Sequence, residues 1–460
     1  MNKVVFFLFI FSTTASQAQM LTPESFIQLV RENHPLAKQA NIKVEKAKAD
    51  LTTARGAFDP TITFEASRKT FDGKNYYFYT NPEIKVPTRL GGADIKAGVE
   101  NNGGQFITDQ VTKGQSSYLG VELPLVKGLL IDKRRAALQQ AQLFRSQSEQ
   151  DKLKMVNDLL FDAYTEYWQW TGSYQIYSVY NRFLDISKDR FRLVKLAFEN
   201  GDRSAVDTIE ALTQVQNFQM LQADAKVKLV TAQLELSNYL WNNSDSAYLL
   251  PETAVPDTVQ FTLYTATGIL NDIISRSTTE NPALRSIDYT LEALEVERKL
   301  KYQNILPMVN LKANLLNGGY NALKGFNGAL LQNNYLWGID FKLPIFLREG
   351  RGEYKKAKLK IEETNYQFSA KKWEVENKIR NYYNEANLLK DQIRITQQAY
   401  NGFNAILRAE ALRFQNGESS LFLINTRENK VIETAEKLVA LRIKYLKANY
   451  GIEWSAGLLR

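Results

Sequence analysis

The sequence predicts an elongated α+β membrane protein built from two copies of one structural repeat. Two observations predict this fold class. Pro35 and Pro60 recur 247 positions later as Pro282 and Pro307, so the spacing of the two pairs is identical. Each copy then continues with an alternating strand, a Leu-Pro step and a very long helical pattern that ends at Asn-Gly. Globular helices average about 11 to 12 residues, so these runs indicate an extended architecture.

The N-terminal stretch 1–18 predicts a secretory signal peptide. Lys3 supplies the charged start, residues 4–11 form an apolar core, and the small residues around Ala18 are typical of a cleavage site. This apolar core is shorter than the roughly 20 residues that a membrane-spanning helix requires. We therefore expect export of the chain and removal of this segment.

The first repeat is expected to cover residues 19–241. It begins with a helix capped by Thr22, continues with a strand pair within 61–123, and ends in a long helical hairpin over 129–241. The hairpin is expected to turn at Gly201, because Asn-Gly is typical of a left-handed helix C-cap.

Inside the first strand pair, residues 70–117 make this copy longer than the second one. The segment contains Asp72-Gly73, four aromatic residues at 76–79 and several prolines and glycines. We expect it to form a longer loop or a strand excursion, with its pairing left open.

The second repeat is expected over residues 264–460, after a linker at 242–263. Its strand pair is predicted within 308–343 and its helical hairpin over 350–450, with the turn at Gly417. In both copies the long helices carry apolar residues in an alternating four-three spacing, which is typical of helices that pack against other helices along their whole length.

The composition excludes several function classes. The chain has no cysteine, so disulfides and thiolate metal sites are excluded, and its single histidine, His34, cannot form a zinc cluster. We expect His34 to be a surface residue and expect neither a metal, a cofactor nor enzymatic activity. The net charge of +8 is spread among acidic residues along the helices, so nucleic-acid binding is not expected.

The strands suggest how the protein meets a membrane. Their alternation gives each strand one apolar face, as in a barrel that lies in a bilayer. Four predicted strands per chain cannot close a barrel alone, so several copies are required. A structural coiled-coil protein of the periplasm or cell surface, without transport activity, is the alternative.

The order of these motifs resembles the TolC-like outer membrane efflux protein family. The resemblance rests on Asn-His-Pro and Asn-Pro in the first helices of the two copies, Leu-Pro at each strand-to-helix step and Phe-x-x-Gly at each hairpin tip, and it covers residues 22–454. It implies a homotrimer with a twelve-stranded outer membrane β-barrel, four strands per chain, continued by a long α-helical coiled-coil barrel across the periplasm of a Gram-negative bacterium.

The resemblance also implies a function and partners. The protein would be the passive exit duct of a tripartite efflux or type I secretion system, in contact with outer membrane lipid. A periplasmic adaptor protein and an inner-membrane pump would complete the system.

Candidate functional residues lie at the two hairpin tips, which match the family's periplasmic gate and adaptor-docking loops. They are Gly201, Asp202, Arg203, Asp207, Glu210, Gly417, Glu418, Phe422 and Leu423. Asp207 and Glu210 lie on one side of the returning helix. In a trimer they would form a carboxylate ring, but a solvated helix face is the favoured interpretation, because Leu423 and Thr426 occupy the equivalent positions of the second copy.

We expect the isolated channel to be constricted at its tips. Helices with four-three packing can coil inward at a free end, whereas strands closed into a ring cannot move without losing ladder hydrogen bonds. The constriction is predicted around 201–210 and 417–426, and opening would require the returning helices to swing outward when a partner binds.

Overall fold

The structure is a computed structural model that describes residues 20–108, 111–262, 269–319 and 333–459. The predicted signal peptide at 1–18 therefore lies outside the described residues, as does most of the loop that follows Asn317-Gly318-Gly319. None of the helices in the described ranges combines the length and the apolar character that crossing a membrane would require.

The first repeat contains four helices and five strands before the segment that joins the repeats. They are β1 (Met20–Leu21), α1 (Pro23–Asn33), α2 (Pro35–Gly56), β2 (Thr61–Phe71), β3 (Lys74–Pro87), β4 (Asp94–Gly103), β5 (Gly114–Pro124), α3 (Lys133–Glu199) and α4 (Ala205–Ser237). Thr22 caps α1, its side chain accepting a hydrogen bond from the Ser25 N–H, and Pro23 occupies the first turn.

The joining segment contains a short strand, β6 (Val255–Pro256), which pairs in parallel with β1. The second repeat follows the same order of two shorter helices, strands and two long helices, and its described part contains two strands between the helix pairs where the first repeat has four. Its elements are α5 (Leu270–Glu280), α6 (Pro282–Gln303), β7 (Met308–Gly318), β8 (Tyr335–Lys342), α7 (Arg348–Gln415) and α8 (Leu421–Ala456).

The chain divides into two compact units, and each unit draws on both repeats. The sheet unit comprises Ile42–Asp151 and Pro282–Lys372, and it contains β2 to β5, β7 and β8. The helix unit comprises the residues before Ile42 together with Lys152–Asn281 and Trp373–Arg460. Both hairpin tips belong to the helix unit.

The sheet unit contains a six-stranded antiparallel sheet with the order β2-β3-β4-β5-β7-β8. We expected four strands from this chain, with a single strand pair inside 61–123. That expectation is corrected in two respects: the excursion at 70–117 supplies two additional strands, and β2 pairs with β3 instead of with β5.

A two-residue turn explains the additional strands. Asp72 and Gly73 adopt positive φ angles of 53° and 71°, and they join β2 to β3. Turns with two left-handed residues match the twist of the flanking strands, and Asp-Gly is a strong signal for them. Gly91 and Gly92, which also have positive φ, lie in the connection from β3 to β4.

The pairing registers place apolar residues of all six strands on one face of the sheet. One such row runs through Ile62, Ile84, Ala97, Leu119, Leu315 and Tyr335. Many large residues of this face are exposed, with Ile62 77% exposed and Trp337 62% exposed, whereas Val309, Leu311 and Leu315 of β7 are partly buried. The sheet thus presents a broad apolar surface to its surroundings.

The opposite face of the sheet is polar and carries ion pairs between neighbouring strands. Lys85 pairs with Asp94 at 2.8 Å, Lys96 with Glu122 at 2.7 Å, and Lys312 with Asp340 at 2.9 Å. Opposite charges across adjacent strands stabilise the pairing in which they meet. The face that carries charge is therefore the one suited to water.

The core of the helix unit is rich in aromatic residues. Tyr167, Trp168 and Trp170 of α3 are almost completely buried. The ring of Tyr164 stacks on that of Tyr450 with a centroid distance of 3.9 Å, so α3 and α8 are joined through their aromatic side chains. These residues serve helix packing, in agreement with the expectation from their helical spacing.

His34 is buried, so the expectation of a surface histidine is wrong. The residue is 9% exposed, and its ring stacks on Tyr239 at a centroid distance of 5.7 Å and meets Trp241 edge-on. It caps α1 immediately before Pro35. The bend therefore directs the ring into the unit instead of into solvent.

We expect the helix unit to lose stability as the pH falls below about 6.5, the pKa of an exposed histidine. Burial lowers the pKa of His34, and a hydrogen bond to the backbone of Asn238 opposes the shift. The unfolded chain then binds this proton at a higher pH than the folded chain, so the contribution is complete above that pH and is lost below it. Thermal unfolding of wild type and His34→Phe between pH 7.5 and 5 checks this. A parallel pH dependence of both proteins would contradict it.

Candidate functional site

The first hairpin tip is a tight turn between α3 and α4. Gly201 has a φ angle of 83°, and the N–H groups of Gly201 and Asp202 donate to the carbonyl oxygens of Phe198 and Ala197 at 2.9 and 2.8 Å. These bonds satisfy carbonyl groups that the end of α3 would otherwise leave without partners. The predicted left-handed glycine cap is therefore present at Gly201.

The start of α4 is held by a reciprocal cap. The Ser204 hydroxyl accepts a hydrogen bond from the Asp207 N–H at 3.3 Å, and the Asp207 carboxylate accepts one from the Ser204 N–H at 3.2 Å. A carboxylate at this position also interacts favourably with the positive end of the helix. Asp207 is thus engaged in the cap of its own helix.

We expect Ser204→Ala to loosen the first turn of α4, because loss of an N-cap typically costs about 1 kcal/mol. Amide hydrogen exchange at Asp207 and its neighbours should become faster. Ser420→Ala is the matched control: Ser420 caps α8 through one bond from the Leu423 N–H, and because Leu423 carries no carboxylate to return a second bond, the effect should be smaller. Unchanged exchange in α4 of the Ser204 variant would contradict the role of this cap.

The second hairpin tip repeats the geometry of the first. Gly417 has a φ angle of 78°, and the Glu418 N–H donates to the Arg413 carbonyl at 2.8 Å. The Ser419 hydroxyl donates to the carboxylate of Glu410 at 2.5 Å. The two tips therefore share their backbone turn and differ in their polar side chains.

The tips of the two hairpins contact each other in the helix unit. The Arg203 guanidinium lies over the ring of Phe414, 4.4 Å from its centroid, which is a favourable cation–π distance. Beneath this contact, Val194, Ala211 and Leu421 form a small buried apolar cluster. The structure thus brings together Arg203 of the first tip and the last turn of α7.

A polar network joins α3, α4 and α8 next to this cluster. Arg190 of α3 donates to the Glu428 carboxylate of α8 through two hydrogen bonds, one of them 2.9 Å long. Arg190 also reaches the Asn425 side-chain oxygen at 3.4 Å, and the Asn425 amide donates to Glu210 at 3.2 Å. The side chain of Glu428 is 1% exposed and that of Arg190 13% exposed, so this is a buried ion pair.

Of the nine predicted site residues, Asp207 belongs to the cap of α4, Asp202 and Glu418 are exposed, and the other six form three groups. Gly201 and Gly417 form the turns, while Arg203 and Glu210 contact the other hairpin. Phe422 is 68% exposed at the start of α8, beside the partly exposed Leu423.

The sequence patterns do not predict a role for Arg190, Asn425 or Glu428. Two of these residues, Arg190 and Glu428, are nevertheless charged residues at buried helix positions. Glu428 occupies a position of the four-three spacing on α8 that is otherwise filled by apolar buried residues, namely Leu421, Ile424, Val431, Ala435 and Leu438. Arg190 occupies the corresponding place on α3 between Ser187 and Val194, both of which are buried. A charge of each sign at core positions of two helices predicts an ion pair once the helices are known to be neighbours.

Comparison with known proteins identifies the class to which this fold belongs. The sequence profile of the outer membrane efflux protein family matches residues 26–240 and 273–454, one match in each repeat. No curated protein sequence matches this chain.

Solved structures of outer membrane channels are similar in fold along nearly the whole chain. CmeC of Campylobacter jejuni is 15% identical, with 95% of this chain and 85% of CmeC covered, at a TM-score of 0.64. MtrE of Neisseria gonorrhoeae, solved in its open state, is 13% identical, with 97% and 93% covered, at a TM-score of 0.66. VceC of Vibrio cholerae is 14% identical, with 95% and 96% covered, at a TM-score of 0.62.

These findings confirm the resemblance stated from the motifs and the α+β channel fold that it implied, except for the expected four strands per chain, which the six-stranded sheet corrects. The family match also locates the protein in the outer membrane. The family consists of channels and is not an enzyme class. Because its profile matches most of both repeats, the chain belongs to the outer membrane efflux protein family.

Proposed function

We propose that this protein is the passive exit duct of a tripartite efflux or type I secretion system and that it acts as a homotrimer. In this proposal the sheets of three copies close into a barrel in the outer membrane, and the long helices form the periplasmic tunnel. The duct conducts without catalysis, and the energy for transport comes from an inner-membrane pump. Membership of the efflux family across both repeats supports this function over a purely structural coiled coil.

The gate of the duct is assigned to the two tips and to the network behind them. The observation that carries this assignment is the buried pair of Arg190 and Glu428, extended by Asn425 to Glu210. This network joins α3, α4 and α8 near the two turns. The hairpins end at these turns, so we propose that the helices can separate there. Breaking a buried ion pair is costly, so this network holds the tips in one arrangement until a partner compensates.

The acidic ring is revised in this proposal. The carboxylate of Asp207 is taken up by the cap of α4, and that of Glu210 accepts a hydrogen bond from Asn425. We therefore assign Glu210 to the polar network that joins α4 to α8. We assign Asp207 a role in stabilising the first turn of α4. Asp202 and Glu418, which follow the two glycines, remain candidates for contacts with a partner.

The periplasmic adaptor is proposed to dock on apolar side chains that the tips leave uncovered in the single chain. Val206 and Ile209 lie on one side of α4, one turn apart, and are 70% and 65% exposed. Phe422 and Leu423 give α8 a corresponding surface. Covering these side chains stabilises a complex by burial of apolar area, and it would favour the outward swing of the returning helices.

Two measurements test the function as a whole. The protein should cofractionate with outer membrane lipid, and its mass in mild detergent should be that of a trimer. Recovery in a wash-soluble periplasmic fraction would favour the structural coiled coil instead. A stable folded monomer would contradict the assembly, because the sheet formed by the described residues of one chain has two unpaired edges.

A further inference from the structure

The hairpin of β3 and β4 changes the size of the barrel that this chain can build. We infer that both strands belong to the barrel wall, so that each copy contributes six strands and three copies close a barrel of eighteen. This inference rests on the proposed trimer in the outer membrane. It assigns the protein a wide, water-filled exit.

The order of the strands places β3 and β4 between β2 and the rest of the sheet. β2 is hydrogen-bonded to β3 and lies at one edge of the sheet, and β8 lies at the other edge. Every residue of β2 is exposed, and β8 is exposed except at Gly338. A closed barrel requires the β2 edge of one copy to pair with the β8 edge of the next, because a barrel tolerates no open edge in lipid. Because β3 and β4 connect β2 to the rest of the sheet, they cannot leave the wall without opening it.

The apolar face of the β3–β4 hairpin continues the apolar face of the neighbouring strands. Ile84 of β3 lies opposite Ala97 of β4, which lies opposite Leu119 of β5, and Ile95 of β4 lies opposite Val121 of β5. Ile84 and Ile95 are 46% and 45% exposed, close to the 40% of Leu119. The apolar band of the sheet therefore crosses the hairpin without interruption, and acyl chains of the lipid are its natural covering.

The polar face fixes the hairpin to the rest of the sheet. Tyr118 of β5 passes over Gly98 of β4, and its hydroxyl donates to Glu83 of β3 at 2.6 Å and approaches Asn81 at 3.3 Å. A Cβ atom at Gly98 would lie 2.4 Å from the Tyr118 hydroxyl oxygen, so only glycine leaves room for this side chain. One residue thus joins three strands, two of which form the hairpin.

Barrel diameter grows roughly linearly with the number of strands, and barrels of about 16 to 18 strands enclose an aqueous channel. Eighteen strands give a barrel about one and a half times as wide as one of twelve strands. The barrel would then exclude few solutes by size. Selection of solutes by size would take place at the helix tips. The cargo class consistent with this geometry is hydrated solutes and extended polypeptides that pass the opened tips.

The absence of cysteine from the sequence allows a direct test with single spin labels in the full-length protein reconstituted into lipid vesicles. Labels would be attached to Ile84→Cys and Ile95→Cys in the hairpin, with Ile339→Cys in β8 as the lipid-facing control and Lys96→Cys as the control on the opposite face. Collisions with dissolved oxygen report contact with lipid, and collisions with a water-soluble nickel chelate report contact with water. Ile84 and Ile95 should match Ile339, whereas Lys96 should contact water.

The outcomes separate this inference from the function on which it rests. Water contact at Ile84 and Ile95 with lipid contact at Ile339 would overturn the six-strand wall and leave the duct intact. Water contact at Ile339 as well would overturn the membrane barrel itself. Single-particle imaging of the unlabelled protein provides a readout that needs no substitution: eighteen wall strands support the inference, and twelve refute it.

Discussion

Replacing Glu428 with Gln is expected to raise the open probability, and with it the time-averaged conductance, of the isolated protein in planar bilayers. The substitution removes the charge that accepts two hydrogen bonds from Arg190, and it leaves the guanidinium without its buried partner. Loss of one partner of a buried pair costs about 3 to 5 kcal/mol. If that cost falls on the closed arrangement, the ratio of open to closed channels increases on the order of a hundredfold or more.

Two controls make this expectation specific. Glu433→Gln removes a carboxylate of the same helix that pairs with Lys430 on the surface, and it should leave the conductance unchanged. A double variant with methionine at positions 190 and 428 leaves no charge buried alone, so it should be more stable than either single variant. Reduced stability of Glu428→Gln with unchanged conductance would show that the pair supports the fold but takes no part in the gate.

Replacing Tyr167 with Ala is expected to produce the largest loss of folding stability among these changes. Tyr167 is fully buried in the core of the helix unit, and its ring stacks on Phe26 at 5.6 Å. Its hydroxyl donates to the Leu21 carbonyl at 2.7 Å and accepts from the Asp257 N–H at 3.2 Å. Truncation of a buried aromatic residue costs about 3 to 5 kcal/mol, and two backbone groups lose a partner in addition.

Thermal unfolding in detergent measures this loss, with Tyr167→Phe as the matched variant. The phenylalanine keeps the packed ring and removes only the hydroxyl, so it should cost about 1 to 3 kcal/mol. It should also loosen the pairing of β1 with β6, because the hydroxyl joins the segments that contain these strands. Equal losses in both variants would contradict the view that packing contributes more than the hydroxyl at this site.

Local signals account for the part of the fold that the sequence predicted. Helix caps at Thr22, Gly201 and Gly417 depend on a few neighbouring residues, and all three are present in the structure. The expected strand count is too low because the segment 70–117 permits either a longer loop or a strand excursion, although Asp-Gly before alternating residues favours a hairpin. Pairing between strands of high sequence separation, such as β5 with β7, has no comparable local signal.

The candidate site also combines features with a local sequence signal and contacts between residues that are remote in sequence. The turns were predictable because glycine alone fits a positive φ without strain. The ion pair of Arg190 and Glu428 joins residues separated by 238 positions, and only the packing of α3 against α8 makes them partners. His34 was assigned to the surface because its burial depends on Tyr239 and Trp241, which are equally remote in sequence.

The two exposed edge strands have a consequence for how the protein matures. β2 and β8 end the sheet with rows of backbone groups that no strand in the described part of the chain satisfies. When copies supply these partners to each other, the midpoint of thermal unfolding rises with protein concentration, as it does for any obligate oligomer. Until that encounter, each newly exported chain offers a template for wrong pairing, so holding chaperones and the pace of synthesis decide how much of it reaches the membrane.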